Sequence, residues 1–427
     1  MTRPINPVSA TMIKPPRKTS RKGWPGATLI ASQRAVLMGA LTWGLIGATP
    51  AWAVDTPTHS SLKVVTVAHG LVNPWSLAFL PDGRMLVTER PGRMRIVNPD
   101  GKLGPPLPGL PTVAAEGQGG LLDVVVDPKF SSNHWVYWSY SETADEPGRD
   151  GNNKANGTAV ARARLEGERG AERLTDVQVI FRQLPKVASR LHFGSRLVFG
   201  NDGRLFITLG ERFSHKESAQ TLDNHLGKVV RIEADGRVPA DNPLVAKPGV
   251  RPETRPDVRQ DARPEIWSWG HRNVQGAAIH PVTGDLWTTE HGPQGGDELN
   301  LTLPGRNYGW PVITYGRNYV TGTKIGEGGE RADVMAPAAF WVPTSIAPSG
   351  MAFLTSERYP GWRGNLFIGT LRAQALLRLE LVDNKVTKQE RLLQTLNERI
   401  RDVRQGPDGY LYVLTDNADG RVLRLMP

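Results

Sequence analysis

Six copies of a strand–turn–strand unit constrain the fold of this chain more than any other feature of its sequence. In each copy, two short apolar runs rich in β-forming residues flank a turn, and several turns contain Asp-Gly, which readily adopts the positive backbone angles of a tight hairpin. The turn and second run of the successive copies span Leu80 to Arg90, Phe130 to Glu142, Gly200 to Arg212, His280 to Gly292, Tyr359 to Leu371 and Gly406 to Asn417. Amphipathic segments with a helical period are hard to find, so the sequence predicts an all-β protein.

The spacing of these copies indicates how they assemble. Roughly 60 residues separate successive units, which suits the blades of a β-propeller that carries long insertions. We therefore predict a six-bladed β-propeller of four-stranded antiparallel blades, closed by pairing of the run Lys63 to Ala68 with the last blade. A pair of β-sandwiches or a β-helix is the alternative, although the units are too long for solenoid coils and too regular for unrelated sandwiches. Two long polar segments, Glu142 to Ala159 and Arg237 to Arg263, are expected to be surface loops that either wall a binding site or carry no function.

The N-terminal region differs from the rest of the chain. A basic leader without acidic residues precedes an apolar run, Ala35 to Ala48, and Ala51-Trp52-Ala53 follows with the form of a signal-peptidase site. The apolar run has about 14 residues, whereas a membrane span needs roughly 20. We predict a secretory signal peptide over residues 1–53, cleaved after Ala53, and a periplasmic or secreted propeller domain over residues 54–427, with no stable membrane insertion after cleavage. An uncleaved membrane anchor is the alternative, and no Arg-Arg pair supports twin-arginine export.

Removal of this leader changes the charge of the chain. The whole sequence has 52 Lys and Arg against 42 Asp and Glu, for a net charge of +10, and seven of those cations lie in the leader. The mature net charge is therefore about +3, which removes the main support for a nucleic-acid partner. The chain contains no cysteine, so disulfides and thiol chemistry are excluded.

Polar side chains crowd the ends of several predicted strands. The stretch Pro264 to Trp310 carries two such groups, formed by His271, Arg272, Asn273 and Gln275 and by Glu290, His291, Gly292, Pro293, Asp297 and Glu298. Other strand ends carry Gln118, His192, Arg372, Arg399 and Arg401. Taken singly, such residues are usually structural or solvated. In a propeller, however, the loops of all blades converge at one face, so together they predict a strongly cationic site for a small, planar, multiply anionic ligand.

Six separated motifs give this pattern a family resemblance that covers essentially the whole mature chain. In chain order they are SRLHFGSRLVFG, WGHRNVQG, EHGPQGGDELN, NYGWP, FIGTLR and RIRDV followed by GPDGYLYVLTD. Together they resemble the soluble aldose sugar dehydrogenases that depend on pyrroloquinoline quinone (PQQ), which are six-bladed propellers. The resemblance implies an enzyme that oxidises the anomeric carbon of aldoses to lactones and passes electrons from PQQ to an external acceptor. A monomer or homodimer is expected.

The resemblance also implies roles for individual residues. His192 matches the general base, and the residues that match the PQQ-binding shell are Gln118, Arg272, Asn273, Tyr319, Arg372, Arg399 and Arg401. The carbonyl groups of Gly292 and Pro293 match ligands of a calcium ion beside the cofactor. Glu298 and the carbonyl of Tyr308 match a second, structural calcium, and Trp341 matches a substrate-facing aromatic residue.

Two positions depart from the family pattern. Leu191, directly before the base, stands where glucose-oxidising members carry an acidic residue, which puts strict glucose specificity in doubt. Arg372 stands where lysine is common, which keeps the positive charge but alters the hydrogen-bonding geometry.

Two other function classes remain open on the sequence. A calcium-dependent propeller lactonase would use Glu290, Asp297 or Glu298 as metal ligands and His192 as base, but it has no need for four guanidinium groups around a planar anion. A propeller that only binds a ligand would leave His192 and Gln118 without a task.

Overall fold

The computed structural model describes residues 62–144, 154–245 and 261–427. The predicted signal peptide and its cleavage site lie outside the described residues, as do residues 145–153 and 246–260 of the two long polar loops. The two ends of the first predicted loop, Glu142 to Thr143 and Asn156 to Ala159, belong instead to strands. Among the described residues, no helix is both long and apolar enough to cross a bilayer.

Strands dominate the structure, as the repeated units predict. In chain order they are β1 (Lys63–Leu71), β2 (Pro74–Phe79), β3 (Met85–Glu89), β4 (Arg93–Val97), β5 (Leu103–Pro106), β6 (Leu121–Val126), β7 (Trp135–Thr143), β8 (Asn156–Glu166), β9 (Arg173–Arg182), β10 (Gly194–Phe199), β11 (Leu205–Leu209), β12 (Lys228–Ile232), β13 (Ile266–Trp269), β14 (Val274–Ile279), β15 (Leu286–Glu290), β16 (Asp297–Leu301), β17 (Arg306–Asn307), β18 (Ala339–Trp341), β19 (Pro348–Phe353), β20 (Leu366–Thr370), β21 (Leu376–Val382), β22 (Lys385–Leu392), β23 (Ile400–Gln405), β24 (Leu411–Thr415) and β25 (Gly420–Met426). The described helices are one short α-helix, Phe130–Asn133, and the 3₁₀ turns Lys216–Gln220 and Gln394–Leu396.

These strands form six sheets, one for each predicted blade. From the axis outwards, the first two blades are β2-β3-β4-β5 and β6-β7-β8-β9, and the last three are β14-β15-β16-β18, β19-β20-β21-β22 and β23-β24-β25-β1. The third blade, β10-β11-β12-β13-β17, gains a fifth strand because Arg306 and Asn307 run parallel to β13. The six-bladed propeller is therefore confirmed, with one blade wider than expected.

Closure of the ring follows the predicted pairing. The first strand, β1, joins the outer edge of the last blade antiparallel to β25, with Lys63 opposite Met426 and Leu71 opposite Gly420. Pairing the first and last strands of the propeller within one sheet removes the open edge that a row of blades would otherwise leave.

Turn chemistry explains most of the hairpins between the first and second strands of a blade. At Asp82-Gly83 and Asp408-Gly409 the glycines have φ of 82° and 81°, which a residue with a side chain rarely adopts. The second blade has no Asp-Gly at this point. There the short helix Phe130–Asn133 reverses the chain and ends at His134, whose φ is 56°.

Apolar side chains fill the spaces between neighbouring blades. Leu86 and Met94 of the first blade pack with Val136 and Trp138 of the second, and all four are fully buried. Comparable clusters lie between the other blades, so the apolar core is distributed around the ring. The innermost strands of the sheets, in contrast, contact one another near the axis through polar groups.

A buried ion-pair network joins the inner strands at that axis. Arg196 on β10 is 1% exposed, and its Nη1 lies 3.2 Å from Asp123 Oδ1 and 3.0 Å from Asp402 Oδ1. Arg404 contacts the same two carboxylates at 3.0 Å each, so two cations balance two anions. Arg196 also donates from Nε to Gln275 O at 2.8 Å. On the fifth blade, a Cβ at Gly350 would lie 2.0 Å from Asp402 Oδ1, which explains a glycine at this close approach.

Replacement of Arg196 by methionine tests this network. The variant leaves Asp123 and Asp402 buried with only one cation between them, so we expect a loss of about 3–5 kcal/mol in the free energy of unfolding. Urea unfolding followed by tryptophan fluorescence measures the change. As control, Arg237→Met removes an arginine whose side chain is 77% exposed beside Asp235 and should leave the unfolding midpoint unchanged. Equal midpoints for both variants would contradict a stabilising role for the axial network.

Candidate active site

A cavity of about 480 Å³ opens where the inner strands of the blades converge. Its wall includes Trp75, Gln118, Asn273, Arg399 and Arg401, which lie at or next to the starts of β2, β6, β14 and β23. Its size is that of a small-molecule site. Four of the residues predicted from separate parts of the sequence are therefore brought together by the fold.

Two of the expected cations share one carboxylate in this cavity. Asp416, directly after β24, accepts from Arg399 Nη2 at 2.7 Å and from Arg401 Nη2 at 2.9 Å. Burial opposes ionisation of Asp416, but attraction to Arg401 and Arg399 outweighs it, and the pKa of Asp416 is lowered from its ordinary value of 3.8. Arg401 lies with its guanidinium 5.9 Å from the Trp75 ring centre, and its Nε has no hydrogen-bond partner among the described groups. One carboxylate for two guanidinium groups leaves a net positive charge available to an anionic ligand.

His192 directly precedes Phe193, which lines this cavity, and it is held from two sides. Its backbone N–H donates to Gln118 Oε1 at 2.8 Å, and its Nδ1 lies 2.9 Å from Glu211 Oε1. The His192 backbone lies so close to position 210 that only glycine fits there, because a Cβ at Gly210 would lie 2.1 Å from His192 O. Within the described part of the chain no group hydrogen-bonds Nε2, so this nitrogen is the one left for a substrate.

The charges of this pair are set by burial. Desolvation, with further repulsion from Arg272 and Arg212, holds the pKa of His192 well below its ordinary value of 6.5. Desolvation also raises the pKa of Glu211 from 4.5 to about 7. At neutral pH the imidazole is therefore uncharged. When Glu211 is ionised, it accepts a hydrogen bond from the protonated Nδ1, and Nε2 presents a lone pair, as a general base requires.

Arg272 is fixed by the two strand ends of the fourth blade. Its backbone N–H donates to Glu290 Oε2 at 2.6 Å, and Glu290 Oε1 pairs with His271 Nδ1 at 2.8 Å. The Arg272 guanidinium donates to His291 O at 3.1 Å and to Gly292 O at 2.6 Å, whereas its buried Nε has no partner among the described residues. Both carboxylate oxygens of Glu290 are engaged in holding this loop, which argues against its use as a metal ligand in a lactonase.

Asp297 also has a positioning role. Its Oδ1 accepts the Gly292 N–H at 2.9 Å, and its Oδ2 accepts from Ser345 Oγ, Ile346 N and Ala347 N at 2.6–2.8 Å. The carboxylate ties the Gly292 loop to a loop that reaches the cavity through Ala347. With both oxygens occupied, Asp297 offers no free site to a metal.

The two expected calcium positions differ in how well they fit a cation. At the first, Gly292 O already accepts a hydrogen bond from the positively charged Arg272, which conflicts with cation binding at that oxygen. At the second, Glu298 receives one long hydrogen bond, from Asn300 Nδ2 at 3.3 Å, and Asn300 Oδ1 is buried with no partner among the described groups. Burial and the nearby Glu290 raise the pKa of Glu298 well above 4.5. Uncompensated oxygens of this kind suit a hard cation.

Three other predicted residues lie outside the cavity wall. Arg372 is exposed, although its neighbour Leu371 lines the cavity. Tyr319 is 59% exposed, with its hydroxyl 3.5 Å from Arg272 Nη2. Trp341 is buried in the core between the fourth and fifth blades, where its Nε1 donates to Gln389 Oε1 at 2.8 Å. The structure therefore does not bring Trp341 to the site as a substrate-facing residue.

Glu211 and Asp416, the partners of the base and of the arginine pair, are functional residues that the sequence motifs do not identify. Both follow the second strand of a blade closely, as Glu290 ends β15. This shared position is a signal that an alignment of the six units against one another would have revealed. Trp75 and His291 also line the cavity, and neither was assigned a role.

Comparisons with known proteins agree with this geometry. Residues 71–424 match the glucose/sorbosone dehydrogenase family. Aldose sugar dehydrogenase YliI of Escherichia coli is 44% identical over 373 residues, which cover 86% of this chain and 94% of that protein. The crystal structure of the soluble E. coli aldose sugar dehydrogenase in its apo form has a TM-score of 0.78 at 43% identity and covers 86% of this chain and 100% of its own. The PQQ-bound aldose sugar dehydrogenase of Streptomyces coelicolor has a TM-score of 0.67 at 29% identity and covers 86% and 98% of the two chains.

The raised pKa of Glu211 predicts a pH-dependent stability difference. A buried acid whose pKa rises from 4.5 to about 7 stabilises the fold below pH 4.5, and this contribution is lost as pH rises through 7. The substitution Glu211→Gln removes the titration while keeping the side-chain shape. The stability of the variant relative to the parent should therefore increase by on the order of 3 kcal/mol between pH 5 and pH 8. Urea unfolding of both proteins at the two pH values measures this difference, and a pH-independent difference would contradict the burial of an ionisable Glu211.

Proposed function

Since the chain belongs to the glucose/sorbosone dehydrogenase family, we propose that it is a PQQ-dependent dehydrogenase that oxidises aldose sugars at the anomeric carbon. The observation that carries the proposal is a pair of arginines with unused hydrogen-bond donors. Arg401, which lines the cavity with the amides Gln118 and Asn273, and Arg272, next to Asn273 in sequence, each have a buried Nε without a partner among the described groups. A planar tricarboxylate quinone is a ligand that such guanidinium and amide groups can satisfy.

The residues that would hold PQQ lie in the cavity wall and next to it. Arg399 and Arg401, oriented by Asp416, would pair with carboxylates, while Asn273 and its neighbour Arg272 would donate to quinone oxygens. Gln118 would contribute an amide, although its Oε1 is engaged by the His192 N–H. Tyr319 and Arg372 would contribute at the rim. When bound, PQQ supplies the two-electron acceptor that no side chain of this protein provides.

His192 would act as the base in this reaction. Its Nε2 would take the proton of the anomeric hydroxyl, and bound PQQ would supply the acceptor for the hydride from C1, so that the product is the lactone. The loss of one proton and one hydride balances the two-electron oxidation. In its ionised form, Glu211 would keep Nδ1 protonated and stabilise the imidazolium that forms, as the third member does in a catalytic triad.

Calcium would have two places in this site. Glu298, with the carbonyl of Tyr308, would hold a structural ion that compensates the buried carboxylate. A calcium beside the cofactor at Gly292 and Pro293 would lie next to the Arg272 guanidinium, which donates to Gly292 O at 2.6 Å, so the two cations would repel each other at that oxygen. Export with cleavage after Ala53, transfer of electrons to an external acceptor and a monomeric or dimeric state complete the proposal.

Reconstitution provides the primary test. Purified protein is loaded with PQQ and CaCl₂, and a panel of aldoses is assayed for dye reduction. We expect a quinone absorbance shift on loading and aldose-dependent reduction. If no shift occurs and no aldose reduces the dye, the proposed function is wrong.

His192→Ala separates catalysis from cofactor binding. Loss of the base should lower kcat by about 10²–10⁴-fold, while the quinone still binds with nearly unchanged affinity in a spectral titration. The control is His69→Ala, which alters an exposed histidine on β1 and should have full activity. Loss of quinone binding in His192→Ala would instead make His192 a structural residue.

A further inference from the structure

Phe213 is a large apolar side chain that the fold keeps out of its core. The residue is 49% exposed, and its ring packs edge-on against the imidazole of His192, with 5.3 Å between the ring centres and an interplanar angle of 75°. It follows Glu211 by two residues, so it belongs to the segment that carries the partner of the base. The Phe213 ring therefore lies directly beside the base, and about half of the residue is open to solvent.

The backbone at this point is held in an unfavourable conformation. Arg212 and Phe213 are consecutive non-glycine residues with φ of 65° and 69°, in the left-handed region that side chains rarely adopt. Strain of this kind persists only where surrounding contacts impose it, and it concentrates at functional sites.

The contacts that impose it come from Arg212. Its guanidinium is fully buried, stacks 3.9 Å from the Phe193 ring centre, and donates to Leu191 O, Asn156 O, Asn156 Oδ1 and Ser189 O at 2.6–2.9 Å. These bonds fasten the segment before His192 to the segment after Glu211. Arg212 is buried by these contacts, whereas the next residue, Phe213, stays half exposed with its ring against the imidazole of His192.

We propose that Phe213 is a specificity-determining residue that stacks on the apolar C–H face of a pyranose ring while the anomeric hydroxyl of that sugar meets His192. The inference rests on the proposed function and names the contact that selects the substrate. Pyranoses with mostly equatorial hydroxyl groups present such a C–H face, and an aromatic ring offers them a large, rigid apolar surface. Leu191, the partly buried residue directly before the base in the sequence, offers a second apolar side chain.

The test uses variants that remove the ring without disturbing the backbone. Asparagine and glycine both tolerate a positive φ, so Phe213→Asn and Phe213→Gly are expected to fold with thermal midpoints no lower than that of the parent. Phe213→Tyr keeps the ring. The matched control is Val282→Asn, which replaces an 87% exposed apolar residue on the turn between β14 and β15.

Two measurements are made on the PQQ- and calcium-loaded proteins. The first is binding of methyl β-D-glucopyranoside, whose blocked anomeric oxygen prevents oxidation, by saturation-transfer difference NMR. The second is steady-state oxidation of glucose. Phe213→Asn and Phe213→Gly should weaken glycoside binding and raise KM about tenfold with kcat within about twofold of the parent, whereas Phe213→Tyr and Val282→Asn should match the parent.

The outcomes separate this inference from the proposed function. Unchanged binding and KM in Phe213→Asn, with an active parent, would overturn the stacking role alone. A fall in kcat at constant KM would also overturn it, because Phe213 would then orient His192 instead of the sugar. A parent that binds the glycoside but oxidises no aldose would refute the dehydrogenase, whereas a parent that does neither would refute both.

Discussion

The axial ion pairs are the constraint on which the rest of the molecule depends. Six sheets that pack through apolar faces have no intrinsic reason to stop at a particular distance from the axis. Arg196 and Arg404, balanced by Asp123 and Asp402, fix that distance, because charges this deeply buried tolerate little change in geometry. The network also forms a floor under the cavity, where Arg196 lies 4.2 Å from the face of Trp75. Structure and site are thus built from the same inner strands.

Above this floor, the site repeatedly combines a functional group with a buried partner that controls its charge or direction. Glu211 does this for His192, Asp416 for Arg399 and Arg401, and Glu290 for the backbone of Arg272. Each partner lies one layer behind the group that it controls and comes from a different strand. Such an arrangement holds the reactive atoms before any ligand arrives, which reduces the cost of ordering them later.

The sequence reveals the architecture because the repeat is encoded locally. Alternating runs and Asp-Gly turns predict each hairpin, and their number predicts the blades; the ring-closing strand follows from topology alone. Residues of the cavity wall can also be predicted from the sequence, since Gln118, Asn273, Arg399 and Arg401 lie at strand ends. The directions of side chains are harder to predict. Trp341 is expected at the site, but its ring lies between two blades. Phe213 is the reverse case: its ring lies against the base, and its backbone has a positive φ that the sequence does not reveal.

Pairing of β1 with β25 determines when the propeller can finish folding during and after synthesis. The first strand to be synthesised has its partner only when the last residues, up to Met426, are available. Contacts between residues so far apart in sequence form slowly, and an unpaired strand edge is prone to join other molecules while it waits. The ring therefore closes only when the sixth blade is complete. Premature termination anywhere upstream leaves an open ring with an unpaired strand edge that is prone to association. Because β1 and β25 are neighbours, a short linker could join the two ends of the propeller, and new ends could be opened at an exposed turn. Such a circular permutant would still form a complete ring.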